Sequence, residues 1–155
     1  YPADQYVEYA QYKAVLSFFE CLPTNDRDQK MTEQVIAMAD KLLEKDHPFK
    51  NDIAQIREFC YRILYEYHEG VFAYYCKKGS YAAASKRLAY IQNKFDEYKI
   101  SDIEFRTLKL EYQLACAQSD LKNIEGIGAK LALYPGFEPV KFASNQHKKS
   151  YVNLF

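Results

Sequence analysis

The residues of this chain best suited to chemistry are three histidines, His47, His68 and His147, and four cysteines, Cys21, Cys60, Cys76 and Cys116. Imidazoles and thiolates can ligate zinc or serve as base and nucleophile, but both uses need them at short, characteristic spacings. Here the histidines are far apart, no cysteine or carboxylate stands at ligand spacing from them, and no two cysteines form a CxxC pair. The GxSxG, HExxH, GxGxxG and Walker patterns do not occur, and Gly126-Ile127-Gly128 is too short for a phosphate loop. The residues therefore point to a protein that is not an enzyme and uses neither metal nor cofactor. Each cysteine sits among apolar neighbours at helical positions and reads as a buried thiol acting as a small hydrophobe. Cys60 and Cys76 fall on one helix, ~24 Å apart, and cannot bridge. A bridge such as Cys21 to Cys60 stays open, because spacing does not fix connectivity.

What remains is chemistry of recognition. Arg87 stands between Lys86 and Leu88 on an otherwise alanine-rich and apolar helix. It reads as a guanidinium offered to a partner's carboxylate, or as a solvated or intrachain-paired charge. Arg106 and Lys109 share one side of a later helix, where they would meet a partner or simply water. Asp26-Arg27-Asp28 reads as a turn in which Asp28 caps a helix, with Arg27 as a contact candidate. Tyrosine is abundant, 15 residues beside 10 Phe and no Trp. Most tyrosines would lie in the core with the hydroxyl at the rim, and exposed ones such as Tyr81 would anchor an interface. Lys plus Arg equals Asp plus Glu at 21 each, so no net field favours nucleic acid or anionic lipid. No apolar run approaches the ~20 residues that span a bilayer. The chain opens on Tyr1 rather than Met, which reads as a processed or partial chain with any targeting segment outside it.

These side chains must be carried by helices, since apolar periodicity near 3.6 dominates and nothing alternates as a strand. Tyr6, Tyr9, Tyr12, Leu16 and Phe19 mark a first helix stopped by Pro23. Met31, Val35, Met38 and Leu42 mark a second, ended by Pro48. A long third helix spans residues 51–78 and shows two apolar stripes. One is Ile53, Ile56, Cys60, Ile63, Tyr67, Val71 and Tyr74; the other is Tyr61, Tyr65, His68, Phe72 and Cys76. Gly79 supplies a left-handed stop and Ser80 a cap for a fourth helix, with Tyr81, Ala84, Leu88, Ile91 and Phe95 inward. Ser101 and Glu104 form a capping-box pattern for a fifth helix, with Phe105, Leu108, Tyr112 and Ala115 inward. Asp120 starts a sixth helix, carrying Leu121, Ile124, Ile127 and Leu131 to a stop at Pro135. Gly126 and Gly128 weaken it, which implies close packing there or a frayed end. Residues 136–155 read as a tail with Phe137, Phe142 and Tyr151 as anchors. Six helices on short turns make three αα-hairpins over residues 1–135, with similar closures at Tyr1-Pro2, His47-Pro48, Phe95-Asp96 and Tyr134-Pro135, spaced about 40 to 50 residues apart.

At Gly79, Tyr81, Ala84 and Leu88 the chain resembles the tetratricopeptide repeat, with Asp96 in place of that repeat's terminal proline. The resemblance implies an all-α, right-handed solenoid of tetratricopeptide-like αα-hairpins, in which Ala84 is small because two helices cross there. Phe18-Phe19 followed by Asp26-Arg27-Asp28, and Ala73-Tyr74-Tyr75 leading to Gly79 and Tyr81, are similar to a narrower family. This is the tetratricopeptide lipoprotein of the bacterial β-barrel assembly machinery, the BamD family, whose carboxy-terminal repeats the chain would represent. The resemblance implies a scaffold on the periplasmic face of the outer membrane. Its carboxy-terminal repeats would dock the periplasmic POTRA domains of an Omp85-type (BamA-type) partner beside other assembly-machinery lipoproteins. Membrane attachment would come through a lipid anchor on an amino-terminal cysteine that this chain lacks. A second reading is a cytosolic tetratricopeptide adaptor that clamps a partner peptide in its concave groove. Four free cysteines would suit that reducing compartment.

Overall fold

A left-handed glycine between two helices sets the local architecture. At the end of the long helix the Gly79 N–H donates to the Cys76 carbonyl (2.9 Å) and the Ser80 N–H to the Tyr75 carbonyl (2.9 Å). Gly79 itself adopts φ +71°, where a Cβ would be strained. This pair of bonds is the Schellman motif, and it turns the chain back on itself within two residues. The computed structural model describes residues 3–22, 28–96 and 100–137. Among the described residues there are six α-helices and no strand: α1 (Ala3–Glu20), α2 (Lys30–Leu43), α3 (Lys50–Lys77), α4 (Tyr81–Phe95), α5 (Ser101–Gln118) and α6 (Leu121–Leu131).

The chain divides into two compact units, residues 1–67 and 68–155. In the first, Val35, Ile36 and Ala39 of α2 are buried with Ile53, Ile56, Cys60, Tyr61, Leu64 and Tyr65 of α3. Phe49 leads into α3 and stacks on Tyr12 of α1 at 4.6 Å between ring centroids, while Phe19 meets Phe59 edge-on at 5.5 Å. Arg57 of α3 holds Asp40 of α2 at 3.0 Å. Only part of the stripe expected to face inward on α1 does: Tyr12, Leu16 and Phe19 are half-buried, but Tyr6 and Tyr9 are 76% and 48% exposed, and Val15 is the fully buried position. Tyrosine satisfies water with its hydroxyl and so tolerates the rim, where a leucine stripe would not. On α2 the buried face is likewise rotated, onto Thr32, Val35, Ile36 and Ala39. Thr32 can be buried because its hydroxyl donates to Gln29 Oε1 at 2.8 Å. The N-cap position of α2 is Gln29, and Asp28 contributes by accepting the Lys30 N–H at 3.3 Å.

In the second unit the inward residues of α4 are those the periodicity predicts: Ala84, Leu88, Ile91 and Phe95 are buried, with Tyr81 half-buried. Ser80 holds the cap position but makes no side-chain cap bond. Of the two α3 stripes only the one through His68, Phe72 and Cys76 is buried here, whereas Tyr74 is 57% exposed. On α5 the capping box is replaced by Ile100 at the cap position, with Ser101 already helical. Tyr112, Ala115 and Cys116 of α5 form a core with Ile124, Ile127 and Leu131 of α6. Phe105, Leu108 and Phe137 pack against that core. Phe137 lies edge-on to Tyr112 at 5.5 Å, as an anchor should, while Phe142 and Tyr151 fall outside the described residues. Asp120 caps α6, accepting the Asn123 N–H at 3.2 Å, a bond of the kind that contributes about 1 kcal/mol. Leu121, expected inward, is 63% exposed. Gly128 packs against the Tyr112 ring, 3.5 Å from its Cβ position, an ordinary contact that leaves room for a Cβ but not for a larger side chain, while Gly126 faces open space.

Candidate docking surface

The side chains that could recognise a partner gather where α3 and α4 meet. Arg87 is half-buried on α4, one residue before the inward Leu88, and its Nη1 lies 3.1 Å from His68 Nδ1 on α3. A guanidinium can only donate, so in this contact Nδ1 is the acceptor. The same guanidinium lies over the Tyr90 ring at 5.6 Å, and the His68 ring meets Tyr90 edge-on at 4.7 Å. Lys94 approaches Tyr90 from the next turn, with Nζ 3.0 Å from the hydroxyl and 5.5 Å from the ring centre. Arg87, Tyr90 and Lys94 follow i, i+3 and i+7 spacing, which stacks them along one face of the helix. A shallow depression lies beside them, lined by Tyr75, Ala83, Lys86, Arg87 and Tyr90. The result is a cationic, aromatic strip on which no acid pairs with Lys86 or Arg87 among the described residues. Chemically it suits carboxylates presented by another protein: the arginine is held in place by a histidine and an aromatic face, so little rotamer freedom is left to lose.

The other candidates are placed differently. Arg106 of α5 forms a salt bridge with Glu69 of α3, so two arginines hold neighbouring α3 residues, Arg87 at His68 and Arg106 at Glu69. Arg87 therefore has an intrachain partner, but it is an imidazole rather than the acid that sequence alone suggested. Lys109 is exposed and lies over the Phe105 ring at 5.5 Å. Tyr81 opens α4 half-buried at the start of its inward stripe, and Arg27 lies outside the described residues. Tyr90 and Lys94 were not singled out from sequence, although their helical spacing from Arg87 was the available signal.

The hairpin of α5 and α6 supplies an internal control, because positions about 40 residues apart correspond. Ser119 takes a left-handed φ of 58° where Gly79 does, and the same two turn bonds recur, Ser119 N–H to Cys116 O and Asp120 N–H to Ala115 O. Phe72 then matches Tyr112, Cys76 matches Cys116 and Ile91 matches Leu131, all of them buried. At the positions of His68 and Arg87 the second hairpin has Leu108 and Ile127, which take part in its apolar core. The hairpin can thus be closed by two ordinary hydrophobes at that point, and the polar pair is an alternative to them.

The thiols take no part in this surface. Burial pushes Cys60 up to about 12 and Cys76 up to about 11, and raises Cys116 as well. All four cysteines are free, Cys21 being the exposed one, so the Cys21 to Cys60 bridge is not formed. Among the described residues no group of His, Cys, Asp or Glu is placed to hold a metal ion, and no helix is long and apolar enough to cross a membrane. Comparison with known proteins adds one positive finding. Residues 1–122 match the family model YfiO, described as outer membrane lipoprotein. No curated protein matches the chain.

Proposed function

Because the chain belongs to the YfiO family of outer membrane lipoproteins, we propose that it is a non-catalytic scaffold subunit of the machinery that assembles β-barrel proteins in the outer membrane. In this reading it works at the periplasmic face, is tied to the membrane by lipid, and docks the POTRA domains of an Omp85-type partner beside other lipoproteins of the machinery. Residues 1–135 would form the tetratricopeptide-like hairpins of a solenoid, and residues 136–155 a tail. The observation that carries the docking reading is the Arg87, His68 and Tyr90 cluster, which stands where the companion hairpin uses Ile127 and Leu108. What supports the reading is that Arg87 stays charged, is only half-buried and lies beside the 39% exposed Tyr90, so that the cluster offers a guanidinium and an aromatic face at the surface. Arg106 and Lys109 are secondary contacts in this proposal, since Arg106 already answers Glu69.

The test is a pull-down of the chain with the purified periplasmic domains of an Omp85-type protein. Arg87→Ala should reduce partner recovery about tenfold while leaving helical content unchanged, a loss in the range of a charged anchor at an interface. Unchanged recovery would remove this face from consideration. The buried cysteines do not favour the reducing cytosol of the adaptor reading. Thiols held up near 11 and 12 supply almost no thiolate at neutral pH and so resist oxidation where they are buried.

A further inference from the structure

Arg57, Arg62, Arg87 and Arg106 are the arginines among the described residues, and all but one of them meet a carboxylate of this chain. Arg57 pairs with Asp40, Arg62 with Glu58 and Arg106 with Glu69. Arg87 is met instead by an imidazole, which bears no charge when its Nδ1 acts as acceptor. The contrast is sharpest on α3, where consecutive residues hold one arginine each. Glu69 holds Arg106 by cancelling its charge, whereas His68 holds Arg87 and leaves the charge in place. The sequence around the site points the same way. Residues 70–95 contain Lys77, Lys78, Lys86, Arg87 and Lys94 and no aspartate or glutamate, although the chain as a whole is neutral. The ring itself is fixed: His68 is 5% exposed and meets Tyr90 at 4.7 Å and Phe95 at 6.3 Å, both edge-on. Packing alone does not call for a histidine, since the corresponding position of the α5–α6 hairpin is Leu108. The contact uses one N–H of a guanidinium that carries several in a flat fork, so donors remain for an outside acceptor.

We propose that His68 is the positioning residue of this docking face, an uncharged acceptor that fixes Arg87 and leaves its charge to a partner's carboxylate. The inference rests on the docking reading above and adds to it what sets the strength of the site. An arginine held in one rotamer beforehand loses less freedom when the partner arrives. An acid at position 68 would hold it as well, but the incoming carboxylate would then face a cancelled charge and a second acid. The imidazole supplies the first effect without the second.

The test compares replacements of His68 in the full chain, titrated at neutral pH with the purified periplasmic domains of an Omp85-type protein. His68→Asn keeps an uncharged acceptor near the place of Nδ1 and should dock as the parent does. His68→Asp puts a carboxylate of the same shape there and should dock about tenfold more weakly, with the helical content of the Asn variant. His68→Leu removes the acceptor and adds no charge; it should weaken docking about threefold, through the loosened arginine. His68→Gln and His68→Glu, one methylene longer, form a second matched pair with the same expectation should the shorter pair fail to fold. An acid at position 68 that docks as well as its amide, or a His68→Leu chain that docks as well as the parent, would overturn the proposal. Arg87→Ala in the same titration tells the two readings apart. If it weakens docking while acid and amide dock alike, the face stands and the role of His68 falls. If it docks like the parent, the face falls and the role of His68 with it.

Discussion

The two hairpins of the second unit share a turn and differ in what fills it. At Gly79 and at Ser119 the backbone makes the same pair of turn bonds with φ values of +71° and +58°. Beyond the turn, the first hairpin places fully buried Ala84 and then Leu88, while the second places Ile124 and then Gly128. Small and large have changed places. The missing bulk at Gly128 is made up from across the hairpin by the Tyr112 ring, 3.5 Å from the glycine's Cβ position. What the two hairpins share is a filled volume and a backbone turn, not a list of residue types, as expected of interiors packed near crystal density.

Removing the ring should have the largest effect. Tyr112→Ala should cost about 3–5 kcal/mol by urea denaturation, the range for losing a buried aromatic side chain. Gly128→Leu alone should also destabilise, because the leucine meets Tyr112. Combined, the two should cost less than their sum, with a coupling on the order of 1 kcal/mol. Strict additivity would show that Tyr112 and Gly128 do not share one space.

The turns offer a smaller test with opposite signs. Gly79→Ala should destabilise by about 1 kcal/mol, since a Cβ is strained at positive φ, and Ser119→Gly should stabilise by a few tenths to about 1 kcal/mol. Gly126 belongs to neither turn and meets nothing within 4 Å, so Gly126→Ala should stabilise α6 by about 0.5–1 kcal/mol. A destabilising Gly126→Ala would mean that the glycine answers to a contact beyond the described residues.

The corresponding thiols Cys76 and Cys116 contribute a pH limit common to both hairpins. Their folded pKa values are raised from 9.0, to about 11 for Cys76, so the thiol form is favoured by folding. The stabilisation is fully present below pH 9 and is lost as pH rises through the folded values, because the unfolded chain deprotonates first. Melting temperature should therefore fall between pH 9 and 11, and Cys76→Ala should flatten that slope. A slope untouched by the substitution would assign the alkaline loss to the other buried thiols, Cys60 and Cys116.

How much of this the sequence carried depends on how local each feature is. The turn at Gly79, the inward face of α4 and the cap at Asp120 follow from neighbours within one helical turn, and all were legible. The inward faces of α1 and α2 were not, because tyrosine and methionine look apolar in a periodicity yet tolerate the rim, while Thr32 looks polar yet is buried with Gln29 as its partner. Arg87 was legible as a candidate, but His68 is 19 positions away, and only the folded hairpin brings the two within 3.1 Å.

Exchanging the polar pair should change stability least. Arg87→Ile with His68→Leu gives the first hairpin the pair that the second already uses, Ile127 and Leu108. Both new side chains are apolar and close in volume to what they replace, and replacing a buried polar pair by such residues is often neutral or stabilising. Stability should therefore stay within about 0.5 kcal/mol of the parent or rise. Recovery of the Omp85-type periplasmic domains should nonetheless fall as it does for Arg87→Ala, because the guanidinium over Tyr90 is gone. If the double variant unfolds instead, the polar pair is a structural requirement of this hairpin and the correspondence with the second does not extend to that layer. If it is stable and still docks, the partner reads some other face. Only a stable chain that no longer docks separates the part of α4 that builds the hairpin from the part that another protein touches.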